Sequence, residues 1–145
     1  MKTVRDILRH KGTAIYSVKP DSYIYEALKL MDEKNIGAVL VLDGDRLCGI
    51  FSERDYARKV VLKGKTSRET KVSEAMTSRV ACVRPEHTIE ECMAVMTDKR
   101  IRHLPVLTED DRVAGVISIG DVVQAKISEQ QFLIEQLENY ITGCR

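Results

Sequence analysis

SVKPDSYIYEALKLMDEKNIGAVLVL (residues 17–42) and CVRPEHTIEECMAVMTDKRIRHLPVL (residues 82–107) are one pattern written twice. At an offset of 65, Pro20 falls on Pro85, Met31 on Met96, Lys34 on Lys99, Ile36 on Ile101 and Val41 on Val106. One extra residue in the turn TEDDR relative to DGDR lengthens the offset to 66, after which Gly49 meets Gly115, Ser52 meets Ser118 and Asp55 meets Asp121. The openings VRDIL and VSEAM also match, so two copies of about 60 residues account for nearly the whole chain.

Each copy predicts the same elements. In the first, Ile24, Ala27, Leu28 and Met31 recur three and four apart, as do Ile89, Cys92, Met93 and Met96 in the second: a helix with one buried face. Asp21 or Ser22, and His87 or Thr88, stand where N-cap side chains belong. The runs AVLVL and LPVL, an Asp-rich turn, and LCGIFS or VAGVIS then read as two short strands around a tight connection, and a second helix starts at the serine. The unit is strand, helix, strand, strand, helix. It is too small to bury its own sheet face, so the copies are expected to pack on each other in an α+β fold. The expected boundaries are 1–62 for the first repeat, 63–71 (KGKTSRETK) for a polar linker, 72–127 for the second repeat, and 128–145 for a helical extension. That extension places Leu133, Leu137, Tyr140 and Ile141 on one face, suits a partner subunit, and is expected to stop near Gly143.

Composition narrows the function. Of 145 residues 43% are hydrophobic and 31% charged, a globular balance consistent with a cytoplasmic protein. Lys plus Arg number 23 against 22 Asp plus Glu, so no long-range field favours nucleic acid or an anionic membrane, and any anion must be caught locally. The first ten residues are charged throughout, unlike a signal peptide, and no run of 18 apolar residues spans a membrane. Cys48, Cys82, Cys92 and Cys144 form no C-x-x-C pair, which argues for reduced, mostly buried thiols, with Cys144 the exposed one, and against a metal site. Gly64-Lys65-Thr66 resembles the end of a P-loop, but Lys59 stands where its first glycine belongs. None of the three histidines lies in a nucleophile elbow, so no catalytic residue is assigned and catalysis is unmotivated.

What remains is SERD (52–55) and SIGD (118–121), each after a strand containing glycine. A serine with an aspartate three residues on is a capping box, which satisfies helix N–H groups and the dipole. The same geometry also suits a nucleotide: glycine permits close approach, the helix start offers N–H groups to phosphate, and an aspartate at the lip can accept two ribose hydroxyls. Both readings stay open. So do two readings of Arg102 and His103, which replace Gly37 and Ala38 in the second copy, and of Arg54 and Arg58: solvated charge, or anion contacts.

The duplicated unit, its G-h-x-S-x-x-D endings and the R-H-L-P-V of the second copy together resemble the tandem cystathionine-β-synthase (CBS) domain pair, or Bateman module, over residues 1–127. The resemblance implies two pseudo-symmetric repeats packed through their sheets, with two clefts that bind adenosine-containing ligands. AMP and NAD(H) come first, with ADP, ATP and S-adenosylmethionine as further options and no catalytic cofactor. It assigns ribose to Asp55 and Asp121, ribose or phosphate to Ser52 and Ser118, and phosphate to Arg54, Arg102 and His103. The adenine slot falls to residues 13–16 and 78–81, with Thr13, Ile15 and Val80, and to Ala38, Pro105, Ile50 and Ile117. It further implies a homodimer, and a non-catalytic sensor of adenine nucleotide signalling to an unidentified regulated protein; the alternative is a structural dimerisation scaffold with vestigial clefts. The charge in SERD and the Arg-His pair of the second copy make the clefts chemically unequal.

Overall fold

The computed structural model describes residues 1–141, so the expected helix end near Gly143 and the expected exposure of Cys144 lie outside the described residues. Helix α1 spans Val4–Lys11, strand β1 Ser17–Val18, α2 Ile24–Lys34, β2 Ala38–Asp43 and β3 Arg46–Ser52. A single turn α3, Glu53–Asp55, runs into a π-helical stretch, Tyr56–Val61. The second copy follows with α4 at Val72–Ala75, α5 at Ile89–Lys99, β4 at His103–Leu107, β5 at Val113–Ser118 and α6 at Ile119–Ile141.

The α+β repeat is present, with one difference. In the first copy β1 lies parallel to β2 and β2 antiparallel to β3. In the second, β4 and β5 form the hairpin alone, and the entering strand shrinks to a parallel bridge from Val83 to Val106. The strands expected at 13–16 and 78–81 therefore begin later. The first segment meets β2 only at Tyr16, whose carbonyl accepts from the Leu40 N–H at 3.1 Å. Both hairpins bulge at the same step, after Val41 and after Val106.

Strand alternation sorts the side chains. Val39, Val41 and Phe51 point to a first core with Ile24, Ala27 and Met31 of α2, while Leu104, Val106 and Ile117 point to a second with Ile89, Cys92 and Met96 of α5. Each core is completed by a helix from the other copy. Val4, Ile7 and Leu8 of α1 close the second core, and Val72 and Ala75 of α4 close the first. Backbone bonds fix the exchange: Val4 and Arg5 N–H donate to His87 and Pro85 carbonyls at 2.8 and 2.9 Å, and Val72 and Ser73 N–H to Ser22 and Pro20 at 2.7 and 3.0 Å. Because the cores are shared this way, the copies cannot separate without opening both. Burial pushes the Cys92 thiol up to about 11, leaving it an inert packing group.

The capping expectation holds for α5, where Thr88 accepts from Glu91 N–H and Glu91 answers the Thr88 N–H. It fails for α2. Tyr23 stands at its N-cap without a side-chain bond, Ser22 accepts from Lys19 instead, and the Ile24 and Tyr25 N–H groups donate to linker carbonyls Thr70 and Ser67, each at 2.9 Å. Linker backbone thus takes over what a cap side chain supplies elsewhere.

Candidate functional site: two crossed clefts

Both S-x-x-D stretches are capping boxes. Ser52 N–H and Oγ donate to Asp55 Oδ2 at 3.0 and 3.1 Å, and Ser118 N–H and Oγ donate to Asp121 Oδ2 at 2.8 and 3.0 Å. In return Asp55 and Asp121 N–H each donate to the serine hydroxyl at 3.2 Å. The helix-cap reading is therefore satisfied, and what decides function is the space in front of each box.

Each box opens on a cleft whose opposite wall belongs to the other copy. The first cleft, about 670 Å³, places Ser52, Arg54 and Asp55 with Ile50 against Val80, Arg102 and His103. The second, about 400 Å³, places Ser118 and Val116 against Ala38, Leu40 and Tyr16, with His103 and Ile50 reaching both. This crossing has an electrostatic result that neither copy shows alone. The charged motif of the first copy and the charged corner of the second fall in the same cleft, which gathers Arg54, Arg58, Lys59, Arg79, Lys99, Arg100 and Arg102 opposite, among the described residues, only Glu53 and Asp55. In the second cleft the corner is Asn35, Ile36 and Gly37, and Lys11 is the only lysine or arginine on its wall among the described residues.

The aspartates differ as well. Asp55 is only 7% exposed, and its second oxygen Oδ1 accepts from the Thr77 hydroxyl at 3.0 Å and pairs with Lys59 at 3.1 Å. All of its roughly four acceptor positions are in use. Asp121 is half-buried, and Lys11 Nζ donates to its Oδ2 at 2.6 Å and to the Val116 carbonyl at 2.8 Å. Burial works against ionisation of Asp121, but the Lys11 and Ser118 bonds prevail and hold its carboxyl below the usual aspartate range. His103 shifts down chiefly through burial, with Lys11 and Arg102 adding to it against the pull of Asp121 and Glu53, so its imidazole is neutral near pH 7. It offers a hydrogen bond to either cleft rather than a positive charge.

Several expected lining residues move. Ile117 is fully buried in the second core, because it pairs with Leu104 on the helix-facing side of the strand, and Val116 lines the cleft in its place. Thr13 and Ile15 line neither cleft; Ala14 and Tyr16 do, one residue out of phase with the expectation. Pro105 is buried within β4 and lines neither cleft, its carbonyl accepting from Val83 N–H at 3.0 Å. Asp121 lines a small cavity beside α1, and Lys11, which borders both that cavity and the second cleft, lies on its carboxylate at the junction of the two. Lys11, Thr77, Arg79 and Lys59 escaped the sequence reading. They lie outside the motifs, and only the exchange of α1 and α4 brings the first two to the clefts; a clue was the dense run of cations around SERD and DKRIR.

With this geometry in hand, the CBS domain model matches residues 4–62 and 72–128, both copies. The chain belongs to the CBS-domain family. A CBS-domain protein from Burkholderia ambifaria has a solved structure that is 50% identical, with a TM-score of 0.84 over 89% of this chain and 96% of that one. The Arabidopsis thaliana mitochondrial protein CBSX3 is 37% identical over 97% of this chain and 72% of its own length. CBSX2, solved in complex with AMP, is 25% identical with a TM-score of 0.71, covering 90% of this chain and 99% of that one. Among the described residues no helix is long and apolar enough to cross a membrane.

Proposed function

We propose that this CBS pair is a non-catalytic sensor whose first cleft binds an adenine nucleotide, AMP or NAD(H) foremost, and reports its occupancy to a partner protein. The observation that carries this reading is the collection of seven Lys and Arg side chains around one 670 Å³ cavity beside a Ser-Asp pair, in a protein of balanced charge. Such a wall suits phosphate or diphosphate and disfavours a sulfonium cation, which ranks AMP, NAD(H), ADP and ATP above S-adenosylmethionine. CBSX2 supports adenine as the base, since that relative was solved with AMP.

Because Asp55 is already saturated, ribose hydroxyls gain it only by displacing the Thr77 hydroxyl and Lys59. Thr77 follows α4, and its N–H and carbonyl are paired with Ile50 at 2.8 and 3.0 Å, so displacement strains the joint between the copies. That gives the ligand a preference for one arrangement of the module, the condition for signalling.

The assembly we propose is a homodimer. From Gln130 onward every described residue of α6 is exposed, and Ile127, Ile134, Leu137 and Ile141 recur seven, three and four apart on one stripe. The three described cysteines are free, which supports a reducing compartment such as the cytoplasm.

Calorimetric titration of nucleotide-stripped protein with AMP, ATP, NAD, NADH and S-adenosylmethionine tests the reading. Saturable binding of an anionic member, lost in Asp55→Ala, is expected. Silence from all five, with a dimer that persists in sedimentation, would establish the scaffold alternative instead.

A further inference from the structure

We propose that Lys11 is an internal occupant of the ribose position in the second cleft and the residue that determines what this cleft accepts. The proposal rests on reading the clefts as nucleotide sites. It goes further: ribose must displace a resident donor in each cleft, and only the first has further cations whose phosphate contacts offset the loss.

The two clefts satisfy matching backbone positions in different ways. In the first, the carbonyl of Ile50 accepts from the Thr77 N–H at 2.8 Å, and the Thr77 hydroxyl reaches Asp55 Oδ1 at 3.0 Å. Val116 holds the place of Ile50 in the second hairpin, as its register opposite Pro105 mirrors Ile50 opposite Leu40. Among the described residues no main-chain donor arrives there. The Lys11 ammonium donates both to the Val116 carbonyl at 2.8 Å and to Asp121 Oδ2 at 2.6 Å, replacing with one side chain the amide and hydroxyl of a whole residue. Position favours it: Lys11 is the last residue of α1, where the helix dipole stabilises a cation, and Leu8 anchors that helix at Gly115.

The chemical consequence concerns the vicinal hydroxyls of ribose, which a carboxylate accepts with its two oxygens side by side. Asp121 Oδ2 already carries three donors, the Ser118 N–H, the Ser118 hydroxyl and Lys11. A ribose can therefore be held by both oxygens only after Lys11 leaves. Nothing in the second cleft offsets that loss for a phosphate, since Lys11 is the single cation of its wall among the described residues and is already engaged. The native chain thus takes nucleotide in the first cleft alone.

Lys11→Met removes the charge while keeping much of the side-chain length. Calorimetry with adenosine and with AMP on wild type, Lys11→Met and Lys11→Met/Asp121→Ala reads the number of sites, with the first cleft identified separately by Asp55→Ala. The expected result is a second adenosine site in Lys11→Met, at least about tenfold tighter than any second-site binding in wild type, and absent from the double variant. Two results overturn the proposal. In one, Lys11→Met gains no site, whatever the first cleft does; in the other it loses a second site that wild type has, which would make Lys11 a phosphate ligand. A folded Lys11→Arg protein that still shows one site guards against the gain arising from loosened α1 packing. Failure of the first cleft to bind in every protein would overturn the sensor reading, while a site gained at Asp121 would still support the role of Lys11.

Discussion

The first and second clefts are built from matching positions of a duplicated sequence, yet one concentrates seven cations around a saturated aspartate and the other, with one lysine among the described residues, ties it to a half-satisfied one. The difference does not come from the Ser-x-x-Asp boxes, whose internal bonds agree within 0.2 Å. It comes from the walls that each box meets, and those walls belong to the opposite copy. Duplication with crossing therefore lets one motif serve two purposes: substitutions in the second copy tune the site of the first.

The largest effect that separates the clefts is expected on stability. Asp55→Ala leaves the part-buried Ser52 N–H and Thr77 hydroxyl without their acceptor and frees the partly exposed Lys59, and should cost about 2 kcal/mol. Asp121→Ala, at a more open site, should cost about 1 kcal/mol. Urea unfolding midpoints of the two variants measure this, and equal losses would mean that the boxes are energetically interchangeable after all.

The glycines before the boxes sharpen the same contrast. A Cβ on Gly49 would lie 2.7 Å from the Thr77 carbonyl, whereas one on Gly115 would lie 2.8 Å from the end of the Leu8 side chain. Backbone cannot yield without breaking the Ile50 pairing, but Leu8 can rotate. Gly49→Ala is expected to destabilise by about 2 kcal/mol and Gly115→Ala by less than about 1 kcal/mol. Thermal unfolding that ranks them the other way would place the rigid joint at α1 instead of α4.

For ligand binding, Arg102→Ala should weaken AMP about tenfold and leave adenosine unchanged, because a phosphate contact carries no information about the base or ribose. Calorimetry of the pair separates this from a general loss. Equal weakening of both ligands would assign Arg102 to the wall rather than to the phosphate.

How far the sequence foretold all this depends on the range of each interaction. The helices, hairpins and caps at Ser52, Ser118 and Thr88 are local, set by periodicity and by residues three apart, and were legible. Ile117 and the Thr13, Ile15 pair were misplaced by one residue because alternation fixes two faces without saying which is the core until the partner elements are known. Lys11 and Thr77 were invisible because they act across the exchange of α1 and α4, a long-range contact with no sequence period. The inequality of the clefts was legible in SERD and RHLPV, but not that both charges share one cavity.

The smallest effect offers the finest probe of the junction between the clefts, since His103 lines both. Its imidazole titrates below its ordinary value of 6.5, chiefly through burial and next through Lys11. A depressed folded pKa means that the unfolded chain binds the proton more readily, so this group's contribution to stability is present above pH 6.5 and is lost as pH falls through the folded value. Lys11→Met removes the second cause and leaves the first, so the His103 pKa should rise, and Asp121, losing its partner, should move up toward the ordinary carboxylate range. NMR titration of the imidazole and carboxylate resonances follows both. A rise in both would place Lys11 near His103 and on Asp121 in solution as in the structure; a shift of neither would detach Lys11 from the second cleft and remove the chief distinction between the two.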